Sequence, residues 1–366
     1  MTRPDSPIGY ALLAADTMMR KFKAENLPPE GHFHYHQGVF LSGMLKIAAL
    51  ENRDDIFQYA KDWVDSVFND DGSAKIVDYG DLDDIQPGIL LYPIYDKTGD
   101  ERYKKEMDYV IGEYLACPRC NNGGLYHKVR LTGQMWLDGL YMAGPFVSEY
   151  GRRFNHPEYI DDIYHEILTM KAVTEDKDTG LWYHAWDETR KADWADETTG
   201  HSHEFWGRSI GWVPVAILDV MDQMEESDPR RAELGKVASD LLKAIMSFHG
   251  EDGRWYQVVN KVKEKGNWPE NSCSSLFAAA IAKAVRYGVL PESCAENAWK
   301  AFRGVSGSLA INGDDLEVGN VCIGTGVGDY DFYINRPCSI NDLHGVGAFL
   351  LMCASMEELR RWENER

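Results

Sequence analysis

Two acidic positions each open an apolar, helix-like run: Leu82-Asp83-Asp84-Ile85 and Trp136-Leu137-Asp138-Gly139. Aspartate before a helix is ordinarily a cap, its carboxylate accepting from first-turn amides. Alone at a helix N-terminus, such a carboxyl is held ionised by the dipole and makes a poor acid. Two carboxyls in one pocket behave differently, because adjacent like charges resist ionising together and one of them keeps its proton toward neutrality. The pair reads as acid/base chemistry borne by Asp138 and one of the tandem Asp83 and Asp84.

The residues around them suit an acidic sugar. Phe205-Trp206-Gly207-Arg208-Ser209-Ile210-Gly211-Trp212 sets an arginine between two indoles, an arrangement suited to forked binding of a carboxylate. His127-Lys128-Val129-Arg130 adds cationic character. The chain has 11 tryptophans, and Trp136, Trp182, Trp186, Trp194, Trp206 and Trp255 fall in loop-like segments where flat apolar faces would pack on sugar rings. His32, His34 and His36 alternate, and His201 and His203 follow the same spacing. That pattern raises a metal site, but neutral imidazoles donating to sugar hydroxyls are the preferred reading, so neither a metal nor another cofactor is expected. Cys117-Pro118-Arg119-Cys120 lacks the second pair that a structural zinc site would need.

The elements that must position these residues recur in pairs. Small, apolar segments begin near His36, Ile85, Asp138, Ser209, Ser274 and His344, about 50–70 residues apart. After most of them comes a one-faced amphipathic segment: Asp54–Phe68, Glu101–Leu115, Glu158–Met170, Arg231–Phe248 and Glu292–Phe302. The N-terminal segment Ile8–Phe22 supplies the sixth. All-round apolar helices are buried and one-faced helices cover them, so the pattern predicts an all-α (α/α)6 barrel of six helical hairpins, a single domain over residues 1–366. Helices of such hairpins alternate in direction. The long loops before the inner helices therefore collect over one mouth, where a site belongs.

Composition sets the outer bounds. A net charge of -21 over 366 residues argues against nucleic acid, whose affinity comes from neutralising phosphates. No apolar run reaches the ~18 residues of a membrane span. The start lacks the order of a secretion signal and seven cysteines follow no framework spacing, so a cytoplasmic protein with reduced thiols is expected. No sequence feature asks for a large interface; a monomer or weak homodimer is expected.

Gln134–Ala143, Leu82–Ile85, Gly123–Lys128 and Trp206–Trp212 together resemble the family 105 glycoside hydrolases, the unsaturated rhamnogalacturonyl hydrolases. The resemblance runs over nearly the whole chain and implies the same barrel. It further implies Asp138 as general acid/base and Asp83 as the second essential carboxylate. Tyr35, His36, His127, Lys128, Arg130, Trp136, His184, Trp206, Arg208 and Trp212 fall where the family lines its sugar pocket. Ser209 departs from the glycine that many relatives carry after the motif arginine. The implied substrate is a small oligosaccharide ending in a 4,5-unsaturated uronic acid. Its enol ether is protonated at C4, water adds at C5, and the resulting hemiketal opens to release the neighbouring sugar. A related unsaturated glucuronyl hydrolase, a non-catalytic sugar-binding barrel and a metal-dependent isomerase are the alternatives.

Overall fold

The computed structural model describes residues 3–366. In chain order its helices are α1 (Pro7–Lys21), α2 (Tyr35–Glu51), α3 (Asp54–Val67), α4 (Leu91–Thr98), α5 (Glu101–Ala116), α6 (Asp138–Arg153) and α7 (Pro157–Thr174). There follow α8 (Gly207–Met221), α9 (Pro229–Met246), α10 (Asn271–Arg286), α11 (Ala295–Ser308), the short α12 (Tyr330–Ile334) and α13 (Leu343–Asn364). The inner ring is α2, α4 with the turn before it, α6, α8, α10 and α13, each packed on the next. It closes because α13 lies against α2. Outside it, α3, α5, α7, α9 and α11 each cover the inner helix before them, and α1 covers α13. The chain is an (α/α)6 barrel, and its N-terminal helix completes the outer ring.

Burial follows the hydrophobic pattern. On α3 the stripe Ile56, Ala60, Trp63, Val64 and Val67 is buried while Asp54 and Asp55 face water. On α10 nearly every side chain from Asn271 to Val285 is buried, and the run Ala278-Ala279-Ala280 lets neighbours approach on both sides. The seam between α2 and α13 is closer still. A Cβ on Gly347 would stand 2.6 Å from the Phe40 amide nitrogen, and one on Gly43 would stand 2.6 Å from Leu350 Cβ.

The second inner helix differs from the expected Ile85–Tyr92. Residues Gln86–Leu90 form a 3-10 turn and the α-helix starts only at Leu91. Pro87 lacks an amide and Gly88 has little helical preference, so the stretch winds tightly. Gly88 is also where Phe146 presses in, its ring 2.8 Å from any added Cβ.

The long loops carry short strands that the helical pattern does not foretell: β1 (Gln134–Trp136), β2 (Ala185–Asp187), β3 (Ala310–Asn312), β4 (Asp315–Glu317), β5 (Val321–Cys322) and β6 (Cys338–Ser339). They pair antiparallel as β1–β2, β3–β4 and β5–β6. The first pairing sets Trp136 opposite Ala185 and so brings the loop before α6 beside the loop before α8. Cys117 and Cys120 are free, buried thiols, pushed up to about 12 by burial, and act as packing groups. No helix among the described residues is long and apolar enough to cross a membrane.

Because Gly347 meets backbone rather than a flexible side chain, Gly347→Ala must wedge α13 away from α2. We expect the variant to be destabilised by ~1–3 kcal/mol in denaturant unfolding. Unchanged stability would contradict a closed ring at this seam.

Candidate active site

A cavity of about 330 Å³ opens at the mouth where the inner helices begin. Its wall takes His34, Tyr35 and His36 from the start of α2, Asp138 and Met142 from α6, and Arg208 and Trp212 from α8. Asp83 comes from the turn before α4. The loops add His127, Lys128, Arg130, Trp136, Trp206 and the stretch Gly324-Thr325-Gly326. Asp83 and Asp138 open onto the same space, as their positions before two inner helices predict.

Asp138 is the first residue of α6 and is buried. Its Oδ2 lies 3.2 Å from Nε2 of His184, whose Nδ1 lies 2.7 Å from the Tyr333 hydroxyl. That hydroxyl accepts from the Gly328 amide at 3.2 Å and has its own hydrogen free for Nδ1. With Tyr333 donating to Nδ1, a neutral His184 donates from Nε2 to Asp138, and every member of the relay is satisfied. Burial alone would push the Asp138 carboxyl up. The His184 hydrogen bond and the His184 and His127 rings outweigh it, and Asp83 adds only the weakest push upward. The carboxyl therefore sits below the ordinary aspartate value, opposite to what pairing with Asp83 predicts.

Asp83 is clasped differently. Lys128 Nζ donates to Asp83 and also to both oxygens of Asp81, at 2.6 and 2.8 Å. His127 Nε2 stands 3.5 Å from Asp83 Oδ1. Burial pushes Asp83 up, yet His127, Lys128 and His34 together hold it well below the carboxylate range. Asp84 turns the other way: its carboxylate meets His34 Nδ1 at 2.5 Å and accepts from the Asp78 amide at 2.6 Å. The tandem is thereby resolved, since only Asp83 faces the cavity.

Arg208 is buried, with its guanidinium 4.6 Å from the Trp206 ring. It donates to the Cys322 and Ile323 carbonyls at 2.6 and 2.8 Å and more loosely to Ser272 Oγ at 3.4 Å. Three of its five N–H groups are thus committed to the scaffold, and two remain for a ligand. Trp136 stacks on His127 with ring centres 4.6 Å apart. The Trp206 indole N–H is buried without a partner. The wall thus interleaves aromatic rings with charged and imidazole side chains, several of them fixed by bonds to the scaffold.

Comparison with known proteins places this chain in a family. A family model described as Glycosyl Hydrolase Family 88 matches residues 10–360. A solved family 105 glycoside hydrolase of C. acetobutylicum ATCC 824 superposes with a TM-score of 0.90, at 30% identity over 95% of this chain and 99% of that one. The unsaturated rhamnogalacturonyl hydrolase YesR of Bacillus subtilis is 26% identical over 252 residues, 67% of this chain and 68% of its own. Protein Atu3128 of Agrobacterium fabrum is 31% identical over 235 residues, 60% of this chain and all of its own. The chain belongs to the glycosyl hydrolases of families 88 and 105. It is a glycosidase of the unsaturated glycuronyl and rhamnogalacturonyl hydrolase kind.

For this glycosidase, nearly all of the expected site residues meet in the cavity, with three corrections. His184 does not line it; the ring is fully buried behind Asp138 and acts on the carboxylate. Lys128 lines it but is spent on Asp81 and Asp83, so it offers no free charge for a sugar acid. Trp182 and Trp255 are core residues, and the indoles on the wall are Trp136, Trp206 and Trp212. Arg130 stands at the rim with 62% of its side chain exposed, 3.7 Å from Asp81. Asp81, Met142, Tyr333 and the 324–326 loop were not anticipated as parts of the site, whereas His34, one of the alternating histidines read as sugar donors, does line it. The glycine-rich run Gly324-Thr325-Gly326-Val327-Gly328 just before the last inner helix was the available signal.

Burial lowers the His127 ring to about 4, against 6.5 in an unfolded chain. Between those values the unfolded chain binds a proton there that the folded one does not. His127 thus costs stability as the pH falls through that window, by up to ~3 kcal/mol. We expect the thermal midpoint of His127→Gln to fall less steeply than the parent's between pH 6.5 and 4. Parallel curves would show that His127 is not held neutral.

Proposed function

We propose that this glycosidase removes the 4,5-unsaturated galacturonyl residue from lyase-generated rhamnogalacturonan oligosaccharides by hydrating the C4=C5 bond, acting as one barrel unit over residues 1–366. The observation that carries the reading is Asp138, a buried aspartate at a helix start, backed by His184 and facing the same aromatic cavity as Asp83 and Arg208. The similarity to YesR supports the galacturonyl substrate.

In this reading Asp138 delivers a proton to C4 of the enol ether, and positive charge grows at C5 and the ring oxygen. Asp138, now a carboxylate, takes a proton from the water that adds at C5. The hemiketal opens and the neighbouring sugar leaves. Because attack falls on C5, the separation of the two carboxyls carries no stereochemical message. Asp83, held ionised by Lys128, faces the developing positive charge. The two uncommitted N–H groups of Arg208 take the substrate carboxylate.

Asp138 must hold a proton that the free site disfavours. The substrate itself supplies the correction: its carboxylate adds negative charge and its ring expels water, and both raise the carboxyl's proton affinity. The free enzyme has Asp138 mostly ionised, so kcat/KM rises as the pH falls from about 7 to about 5. Loss of ultraviolet absorbance from the conjugated double bond follows the reaction. With unsaturated galacturonyl-rhamnose, Asp138→Asn should slow that decay by ~10³-fold or more with the fold intact. A variant that keeps most of its turnover would remove Asp138 from the chemistry. Faster decay on an unsaturated glucuronyl disaccharide than on the galacturonyl one would move the substrate to the glucuronyl class.

A further inference from the structure

At the seam where the last inner helix meets the first, His36, Asp342 and His344 converge, and one ligand atom from each lies within 4.8 Å of the others. His344 is fully buried, and its Nε2 stands 3.0 Å from the Cys322 carbonyl oxygen. A carbonyl can only accept, so Nε2 carries a proton and Nδ1 is the ring atom turned away from that bond. Nδ1 stands 2.7 Å from Asp342 Oδ1, at an angle that does not form a hydrogen bond. Nδ1 of His36 is buried and unpartnered as well.

Asp342 behaves unusually for its position. It is the N-cap of α13, where an aspartate normally accepts from first-turn amides, yet its side chain makes no capping bond. One oxygen is turned toward His344, and the other accepts from Ser339 Oγ at 3.2 Å. Two imidazoles, each with a buried ring nitrogen lacking a hydrogen-bond partner, and one carboxylate within 4.8 Å of one another make up a first-row metal donor set. The His344 Nε2–H bonded to a carbonyl is the outer support that metal-bound histidines use to fix their tautomer.

We propose that His36, Asp342 and His344 bind a divalent transition-metal ion, zinc being the best match to two imidazoles and a carboxylate, with water completing the shell. The ion would tie the start of α13 to the start of α2 and set the angle of the His36 ring, which lines the sugar cavity. The alternating His32 and His34 form a second group with Asp84, where His32 Nε2 is also unpartnered at 3.4 Å from Asp84, but the Asp84 carboxylate already has its own partners. His34 Nδ1 meets Asp84 Oδ1 at 2.5 Å, and Oδ2 of Asp84 accepts from the Asp78 amide. At the seam, by contrast, two ring nitrogens are unpartnered and the carboxylate makes no capping bond.

The test is titration of the chelator-stripped full chain with zinc chloride by calorimetry, and with cobalt(II) by visible absorption, alongside thermal unfolding. One equivalent should bind, raise the melting temperature, and give cobalt ligand-field bands. His344→Gln and Asp342→Asn should each weaken binding at least ~10-fold, and His32→Gln should leave it unchanged. If His344→Gln fails to fold by circular dichroism, Asp342→Asn alone decides. Absence of binding at ~100 µM zinc would mean that Asp342 simply pairs with a doubly protonated His344, and would overturn the proposal. Binding that survives both seam variants, or that disappears with His32→Gln, would overturn it equally.

Discussion

The Asp138–His184 contact is the interaction around which the cavity is organised. A buried aspartate at the start of a helix needs a partner, and the partner here is an imidazole that is itself held from behind by Tyr333 and the Gly328 amide. The relay therefore links three separated stretches of chain: the start of α6, the residue just before β2, and the segment from Gly328 to Tyr333 in α12. Any shift of one of them would rotate the ring and leave a buried charge without its donor, which is costly. The short helix α12 and the unexpected strands acquire their purpose from this requirement.

The same economy governs the other charges. Lys128 neutralises the Asp81–Asp83 pair, and Arg208 spends three donors on the scaffold. What remains for a ligand includes one oxygen of Asp138, two N–H groups of Arg208, an indole N–H, a neutral His127, the Tyr35 hydroxyl, His36 and Arg130 at the rim. Each is already oriented, so binding need not reorganise the wall. Preorganisation of this kind lets an aromatic cavity discriminate an acidic sugar with few polar contacts.

Ring closure is what gathers these groups. Inner helices start at one mouth because every hairpin reverses direction, and they stand close enough because small residues line the seams. Gly347 against the Phe40 backbone and Gly43 against Leu350 are equally close approaches at the α2–α13 seam. The proposed metal site lies at the mouth of that same seam, where the two ends of the polypeptide's inner ring meet. A strong local tie at the point of closure would hold the first and last inner helices in register.

Much of this was legible in the residues themselves. Hydrophobic periodicity separates inner from outer helices because burial on all sides and burial on one side demand different patterns. The order of motifs set Asp83, Asp138, His127 and Arg208 around one mouth, because a hairpin repeat leaves the loops no other place to go. What the sequence could not reveal is the direction in which neighbouring side chains turn. Tandem Asp83 and Asp84 are chemically alike, and only packing sends one to the cavity and the other to His34. His184 and Lys128 carry the right functional groups, but their partners come from 46 or 47 residues away, so their roles as supports are decided in three dimensions. Patterning along the chain determines which faces are buried, whereas the charge state of a buried carboxyl depends on distances that exist only once the barrel has closed.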